Sequence, residues 1–166
     1  MAAHPVTTGS EIDGRRLRAA FRRFASGVAF VSTEVDGAPL GLIVSSFTPV
    51  SYDPPMISFC PARDSLTWRR MRTARTFTVS VLAAHHGAFV RAAAPAGADR
   101  FAEPLRDPLA TLDCTLAAEL PCGDHSIVAG RVRRLDVRED VDPLVYFAGS
   151  FGAFLPHDQE TPCPQN

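Results

Sequence analysis

The sequence predicts a mainly β protein, an antiparallel barrel with two or three peripheral helices. Six or seven short runs of β-branched and other apolar residues follow one another, and most are joined by turns that contain Gly, Pro or Asp. The helical patterns are few and do not alternate regularly with the strands, as the units of a parallel sheet would. The chain has 166 residues, 46% of them hydrophobic, which is enough for one domain with a sizeable core. We place this domain at residues 10–155, between flexible tails at 1–9 and 156–166.

The first expected element is a helix over residues 10–25. Ser10 is a typical N-cap residue, and Gly27 follows the last apolar position of the pattern. One face of this helix is apolar, whereas the other carries five arginines. We therefore expect the helix to lie on the domain with its basic face in solvent.

The remaining elements follow from turn residues and apolar runs. Asp36-Gly37 between the first two runs predicts a tight hairpin. A short helix is expected from Ser65, and another at about 85–91, followed by a long loop at 92–107 that is a candidate functional segment. The strands are expected at 28–35, 39–45, 56–60, 76–82, 110–119, 126–136 and 144–149.

Composition excludes several classes of function. Seventeen basic against eighteen acidic residues leave a net charge of −1, so nothing draws the chain to nucleic acid or to an anionic membrane. Every basic residue is an arginine, which excludes lysine Schiff-base chemistry. No apolar run approaches the roughly 20 residues of a membrane span, and no signal peptide is visible. The four cysteines show no metal-ligand spacing, so we expect a cytoplasmic protein with free thiols and no metal.

The segment at 41–58 is the most informative part of the chain. An apolar strand ends at two adjacent serines, Ser45 and Ser46, and an Asp-Pro-Pro turn leads into a second apolar strand. Hydroxyls and backbone N–H groups at such a place suit a phosphate or the polar edge of a heteroaromatic ring. The pattern alone equally fits an ordinary strand, turn and strand.

His125 is the second candidate. It lies in a Gly-containing turn between two strands, at the rim of the expected barrel, where it could bond a ligand. An exposed loop histidine that binds nothing is the alternative, and Asp124 could simply form the turn. His85 and His86 are adjacent, which is the wrong spacing for a metal-binding helix face. The nucleotide-binding loops GxGxxG and GxxxxGK[ST] are absent, as is GxSxG.

Taken together, six segments resemble the flavin reductase family, the small reductase partners of two-component flavin-dependent monooxygenases. They occur in the family's order and spacing over about residues 11–154. Two positions depart from the family pattern: Ile43 stands where threonine is frequent, and Ser80 where asparagine is usual. The segments are 17–28, 41–55, 77–82, Arg100-Phe101, Gly123-Asp124-His125 and 142–149.

The resemblance implies an FMN-binding split barrel of Greek-key type. It implies a homodimer that binds FAD or FMN near the subunit interface, oxidises NADH and releases reduced flavin, which diffuses to a partner monooxygenase. NADH is expected over NADPH because no arginine is clearly placed for a 2′-phosphate. The all-arginine composition indicates a GC-rich genome, where such reductases often serve natural-product pathways. A split-barrel module that stores or senses flavin without turnover is the alternative.

The resemblance also assigns residues by position. His125 would orient the nicotinamide and would not donate a proton. The NADH-binding residues would be His125, Tyr146, Phe147, Ala148 and Gly149. The flavin-binding residues would be Val44, Ser45, Ser46, Phe47, Ser51, Ser58, Phe59, Cys60, Pro61, Ser65, Trp68, Arg100 and Phe101.

Overall fold

The computed structural model describes residues 13–95 and 97–154. Ten strands and three α-helices make up most of the part described, which confirms the mainly β class. The helices are α1 Gly14–Phe21, α2 Leu66–Met71 and α3 Gly87–Ala93, with short 3-10 turns at Arg72–Ala74 and Ala84–His86. The strands are β1 Ser26–Gly27, β2 Ala29–Val35, β3 Ala38–Val44, β4 Thr48–Tyr52, β5 Pro55–Phe59, β6 Thr76–Val81, β7 Ala110–Cys122, β8 His125–Val137, β9 Leu144–Phe147 and β10 Ser150–Ala153.

Seven strands form one antiparallel sheet in the order β3-β2-β6-β7-β8-β5-β4. Val44 at one end of this order and Phe59 near the other belong to the same buried cluster. The sheet must therefore curl round a common core, as a barrel does. Two register shifts in the long β7–β8 hairpin, at Asp113/Cys114 and at Leu116/Ala118, help it to bend. Strands β1, β9 and β10 form a second, smaller antiparallel sheet.

Aromatic side chains fill the barrel core. Phe59 packs edge-to-face against Trp68 and Phe77, with ring centroids 5.3 and 5.5 Å apart. Trp68 comes from α2, whose N-cap is Ser65 as predicted, because the Ser65 hydroxyl accepts from the Trp68 N–H at 3.2 Å. The indole Nε1–H donates to Glu119 at 3.2 Å, so the polar end of this buried ring is also paired.

Strand β2 is buried on both of its faces. Ala29 and Val31 point into the barrel core, whereas Phe30 belongs to a second buried cluster with Val90 of α3 and Leu144 of β9. Opposite orientations of neighbouring residues are what the period of two in a strand requires. The second cluster therefore fixes α3 and the small sheet against the outside of the barrel.

Helix α1 is shorter than predicted. It begins at Gly14, where the Asp13 side chain caps it by accepting from the Arg15 N–H at 3.0 Å; Ser10, the predicted cap, lies outside the described residues. It ends at Phe21 and not at residue 25, because the chain must straighten for Ser26 to pair with β9. The predicted apolar face is largely exposed, with Phe21 at 69%.

Ten strands exceed the six or seven predicted, and the additions are short. The sequence predicts part of a turn where the structure has strand β4. It forms at the edge of the sheet, where Pro49 costs no ladder bond, and the chain reverses at Asp53-Pro54. The predicted turn at 121–125 contracts to Gly123-Asp124, because the flanking residues pair in the β7–β8 ladder. Strands β1 and β10 also went unpredicted.

In the part of the chain that the structure describes, none of the helices has the length and apolar character needed to cross a membrane.

Candidate active site

Two clefts meet along the end of β3. We call them the arginine cleft, about 320 Å³, and the histidine cleft, about 640 Å³. Four consecutive residues, Leu42 to Ser45, border both. Strand β3 lies at an end of the sheet order, so alternate N–H and C=O groups along it are not used by β2 and, as far as the described strands go, can bond a ligand. The shared wall is therefore both apolar and equipped with backbone hydrogen-bonding groups.

Hydroxyl groups and an imidazole distinguish the histidine cleft. Ser46 Oγ accepts from the Cys60 N–H at 2.9 Å, so this hydroxyl joins the end of β3 to the end of β5. The hydroxyl proton remains available to a ligand. Burial raises the pKa of the Cys60 thiol, and nearby Cys122 raises it further. Besides the shared wall, the cleft is lined by Phe21, Ser46, Cys60, Pro61, Ala62, Ser65 and His125.

His125 is held in place by the backbone around it. It bridges to Ala62, and the Ser126 N–H donates to the Pro61 carbonyl at 3.0 Å, which fixes the segment after β5 beside the β7–β8 turn. His125 Nδ1 lies 2.8 Å from Asp124 Oδ1. This hydrogen bond lowers the pKa of Asp124, so the carboxylate stays ionised and Nδ1 carries the proton. In the neutral ring, Nε2 is then left as an acceptor for a ligand.

The arginine cleft has mostly apolar walls. The Tyr146 and Phe151 rings lie against each other at one side, with centroids 5.3 Å apart. Among the described residues that line this cleft, Arg100 is the only charged one. Its Nε is buried and has no hydrogen-bond partner in the part described. Besides the shared wall, the lining residues are Val28, Val90, Ala93, Ala94, Arg100, Tyr146 and Phe151.

The loop that carries Arg100 is anchored by a buried histidine. His86 is 5% exposed, accepts from the Ala83 N–H through Nδ1 at 3.0 Å, and donates from Nε2 to the Arg106 carbonyl at 2.6 Å. Both bonds are made together only by the neutral ring, and burial lowers the pKa of His86 accordingly. Arg138 pairs with Asp107 one residue further on.

The structure brings together about half of the residues that the resemblance assigned. Seven of them line only one cleft: five line the histidine cleft, and Arg100 and Tyr146 line the arginine cleft. Val44 and Ser45 border both. The five are Ser46, Cys60, Pro61, Ser65 and His125.

The other assigned residues do not line either cleft. Phe59 and Trp68 are at most 2% exposed, so their side chains support the wall from inside the core. Phe47 packs against the barrel core, and Phe101 lies on Phe30 with ring centroids 5.5 Å apart. Their roles stay predictions, as do those of the remaining residues. Ser51 lies on β4, Ser58 on β5, Phe147 at the end of β9, and Ala148 and Gly149 in the turn before β10.

Sequence reasoning missed the apolar lining. Phe21, Val90 and Phe151 border the clefts, yet their spacing is that of ordinary core residues. The two departures from the family pattern are both close to the site. Ile43 lies in the shared wall, where it supplies apolar surface in place of a hydroxyl. Ser80 is buried and borders a cavity beneath the loop that carries Arg100.

Comparison with known proteins identifies the family. A family model described as a flavin reductase like domain matches residues 21–154. The chain belongs to this family. Within it, the chain is 32% identical over 164 residues to HsaB, the reductase subunit of a flavin-dependent monooxygenase from Rhodococcus jostii, covering 92% of this chain and 84% of that protein.

Two further family members are named for their substrates. The FMN reductase (NADH) SmoA of Agrobacterium fabrum is 32% identical over 161 residues, with 91% of each chain covered. The structure of the NADH:FAD oxidoreductase SgcE6 of Streptomyces globisporus, in complex with NAD and FAD fragments, superposes with a TM-score of 0.82 at 27% identity, covering 90% of this chain and 99% of that one. This likeness confirms the predicted split-barrel fold.

The residues present fit a flavin. Apolar walls on both sides of β3 suit the faces of a flat ring, and the free groups of the edge strand suit its polar pyrimidine edge. The hydroxyls of Ser46 and Ser65 and the guanidinium of Arg100, whose Nε has no partner among the described residues, offer donors to anionic or carbonyl oxygens. Within residues 13–95 and 97–154, no three His, Cys, Asp or Glu side chains gather into a metal site.

We predict that His86 makes stability depend on pH. Because its pKa in the folded protein is lowered from 6.5, the unfolded chain binds the proton more readily. Its contribution is complete above about pH 6.5 and is lost as the pH falls through the lower folded pKa. Urea unfolding between about pH 8 and pH 5 measures this loss, which His86→Gln should reduce. An equal slope in wild type and His86→Gln would contradict the assignment.

Proposed function

We infer that this chain is an NADH-dependent flavin reductase that supplies reduced flavin to a separate monooxygenase. The observation that carries this is the pair of clefts sharing the edge of β3, one apolar with a single arginine and the other containing hydroxyls and His125. Two flat rings must lie face to face for hydride transfer, and a site with two compartments along one wall suits that arrangement. The reductases named above, HsaB, SmoA and SgcE6, support the same activity.

Bound flavin supplies the hydride-accepting chemistry, which leaves positioning to the protein. The wall from Leu42 to Ser45 presents apolar side chains to the ring and free backbone groups to its polar edge. Ser46 is fixed by its bond to the Cys60 N–H, so its remaining proton points in a defined direction. The unused donors of Ser46 and Ser65 suit the ribityl and phosphate groups, so we propose the histidine cleft as the position of these groups.

His125 orients the nicotinamide. With Nδ1–H bonded to Asp124, its Nε2 accepts, and the carboxamide of nicotinamide offers an N–H donor of matching kind. No proton transfer is required of His125, because a hydride carries its own electron pair. The side chain is 47% exposed, which leaves it accessible to a nucleotide that enters and leaves with each turnover.

FAD and FMN both remain candidates, because SmoA is named for FMN and SgcE6 for FAD. NADH is supported as the hydride donor by both names. We propose the cytoplasm as the compartment, since the cysteines that the structure describes are free, as in a reducing environment. Service in a natural-product pathway stays a prediction.

We propose that the protein is a homodimer and that α1 contributes to its interface. Leu17, Phe21 and Phe24 expose apolar surface along and just after this helix, at 39%, 69% and 77%. Exposed apolar groups of this size on one side of a domain favour association. Phe21 also borders the histidine cleft, so a subunit contact there would lie beside the flavin.

Steady-state assays should find flavin-dependent oxidation of NADH by the purified chain. The four combinations of NADH or NADPH with FMN or FAD, followed at 340 nm, also give the preferred pair. We expect turnover with NADH to exceed that with NADPH. Tight flavin without turnover would favour the alternative of a flavin-storing module, and absence of turnover with both flavins would overturn the proposed function.

The His125→Ala variant should raise the KM for NADH more than the KM for flavin. Loss of one hydrogen bond to the carboxamide corresponds to about 1 kcal/mol, or roughly a fivefold increase in KM. His85→Ala is the matched control, because His85 is exposed and borders neither cleft. A larger effect on the flavin KM would contradict the orienting role.

Sedimentation velocity should give the mass of two 17.9 kDa chains. Phe24→Asp should shift the equilibrium towards the monomer, because a charge would be buried at the interface. Leu120→Asp serves as the control at an exposed apolar position of β7, 62% accessible, away from α1. A monomeric wild type would refute the dimer, and an unchanged Phe24→Asp dimer would move its interface elsewhere.

A further inference from the structure

Arg100 has a buried donor that nothing in the described chain satisfies. Its Nε is inaccessible to solvent and has no hydrogen-bond partner there. The ion pairs within residues 13–95 and 97–154 do not include its guanidinium. Buried N–H groups in proteins are nearly always paired, so the unpaired Nε of a residue that borders a cleft indicates that the guanidinium lacks an acceptor, which a bound ligand can supply.

The surroundings of Arg100 favour an acceptor that carries negative charge. The residue borders the arginine cleft on one side and a cavity of about 360 Å³ beneath its loop on the other. Glu103 lines that cavity but does not form an ion pair with Arg100. On the cleft side most of the lining residues are apolar, including Val28, Val90 and Ala93, and the hydroxyl groups are those of Ser45 and Tyr146. A cation next to apolar walls is poorly compensated and attracts an anion strongly.

Three contacts fix the loop that follows this cation in the chain. Phe101, the next residue, lies on Phe30 with ring centroids 5.5 Å apart. His86 holds the Arg106 carbonyl at 2.6 Å, and Arg138 pairs with Asp107. The guanidinium is therefore in position before a ligand arrives, which is the condition for effective electrostatic stabilisation of developing charge.

We propose that Arg100 recognises the negative charge that appears on the flavin ring when it is reduced. This proposal rests on the proposed function. A hydride leaves C4 of the nicotinamide with its electron pair and bonds to N5 of the flavin, so that NADH becomes NAD⁺ and the flavin becomes an anion. The negative charge lies on N1 and the C2 carbonyl oxygen, at the pyrimidine edge. Arg100 donates to this edge and therefore binds the reduced ring more strongly than the oxidised one.

The alternative acceptor is the flavin phosphate. Ser45 borders both clefts; the histidine cleft adds the hydroxyls of Ser46 and Ser65, whereas the arginine cleft adds only that of Tyr146 to its apolar side chains. A phosphate is strongly hydrated and is bound best by several hydrogen-bond donors. A donor flanked by apolar side chains is better suited to the polar edge of a flat ring. The arginine cleft thus suits the ring.

The test is binding of riboflavin and FMN, each oxidised or reduced with dithionite under anaerobic conditions, to wild type and Arg100→Gln. The preference is the ratio of the Kd for oxidised flavin to the Kd for reduced flavin. We expect Arg100→Gln to lower this ratio about tenfold, which lowers the midpoint potential of the bound flavin by about 30 mV. The loss should be the same for riboflavin and FMN. Arg106→Gln, an exposed arginine of the same loop, should keep the wild-type preference.

Two results would overturn the proposal. One is an unchanged preference in Arg100→Gln. The other is a loss of affinity for FMN, but not for riboflavin, that is the same in the oxidised and the reduced state. That second result would assign Arg100 to the phosphate. Arg100→Lys, which keeps the charge, should retain part of the preference and replaces Arg100→Gln if that variant does not fold. These measurements use no NADH, so a wild type that binds flavin but does not oxidise NADH would refute only the proposed function.

Discussion

The site depends on one arrangement: β2 is buried on both faces, and β3, its hairpin partner, lies at the edge of the sheet. Residues of β2 alternate between the barrel core and the second cluster, so this strand is held rigidly from both sides. Strand β3 takes its position from β2 through seven paired residues, and among residues 13–95 and 97–154 no strand pairs with its other side. A rigid edge with unused backbone groups is the surface along which both clefts form.

The two clefts divide the chemical work. One has apolar walls and a fixed cation, and the other has fixed hydroxyls and an imidazole whose tautomer is set by Asp124. In each case the polar group is held by contacts within the protein: Ser46 by the Cys60 N–H, His125 by the β7–β8 turn, and Arg100 by its anchored loop. Hydride transfer needs no acid or base, so what it requires of the protein is fixed groups that orient the two reacting rings.

Local signals predicted much of the fold. Asp36-Gly37 forms the expected hairpin, with positive φ at both residues, and Ser65 caps its helix as expected. The features that the sequence did not predict depend on tertiary pairing. Helix α1 ends early because Ser26 pairs with β9, and β4 forms because an edge position tolerates Pro49. At the site, polar residues next to turns stood out, so Ser45, Ser46 and His125 were found. Apolar lining residues look the same in a sequence whether they face a core or a ligand.

The burial of Cys60 has a consequence for durability. Reduced flavin that meets oxygen generates peroxide, and the Cys60 thiol lines the histidine cleft, which we propose as part of the flavin site. Peroxide reacts with thiolates and hardly with thiols. Because burial and the neighbouring Cys122 raise the pKa of Cys60, its sulfur stays protonated at neutral pH. The Cys60 thiol is therefore expected to resist oxidation by peroxide that forms from reduced flavin close to it.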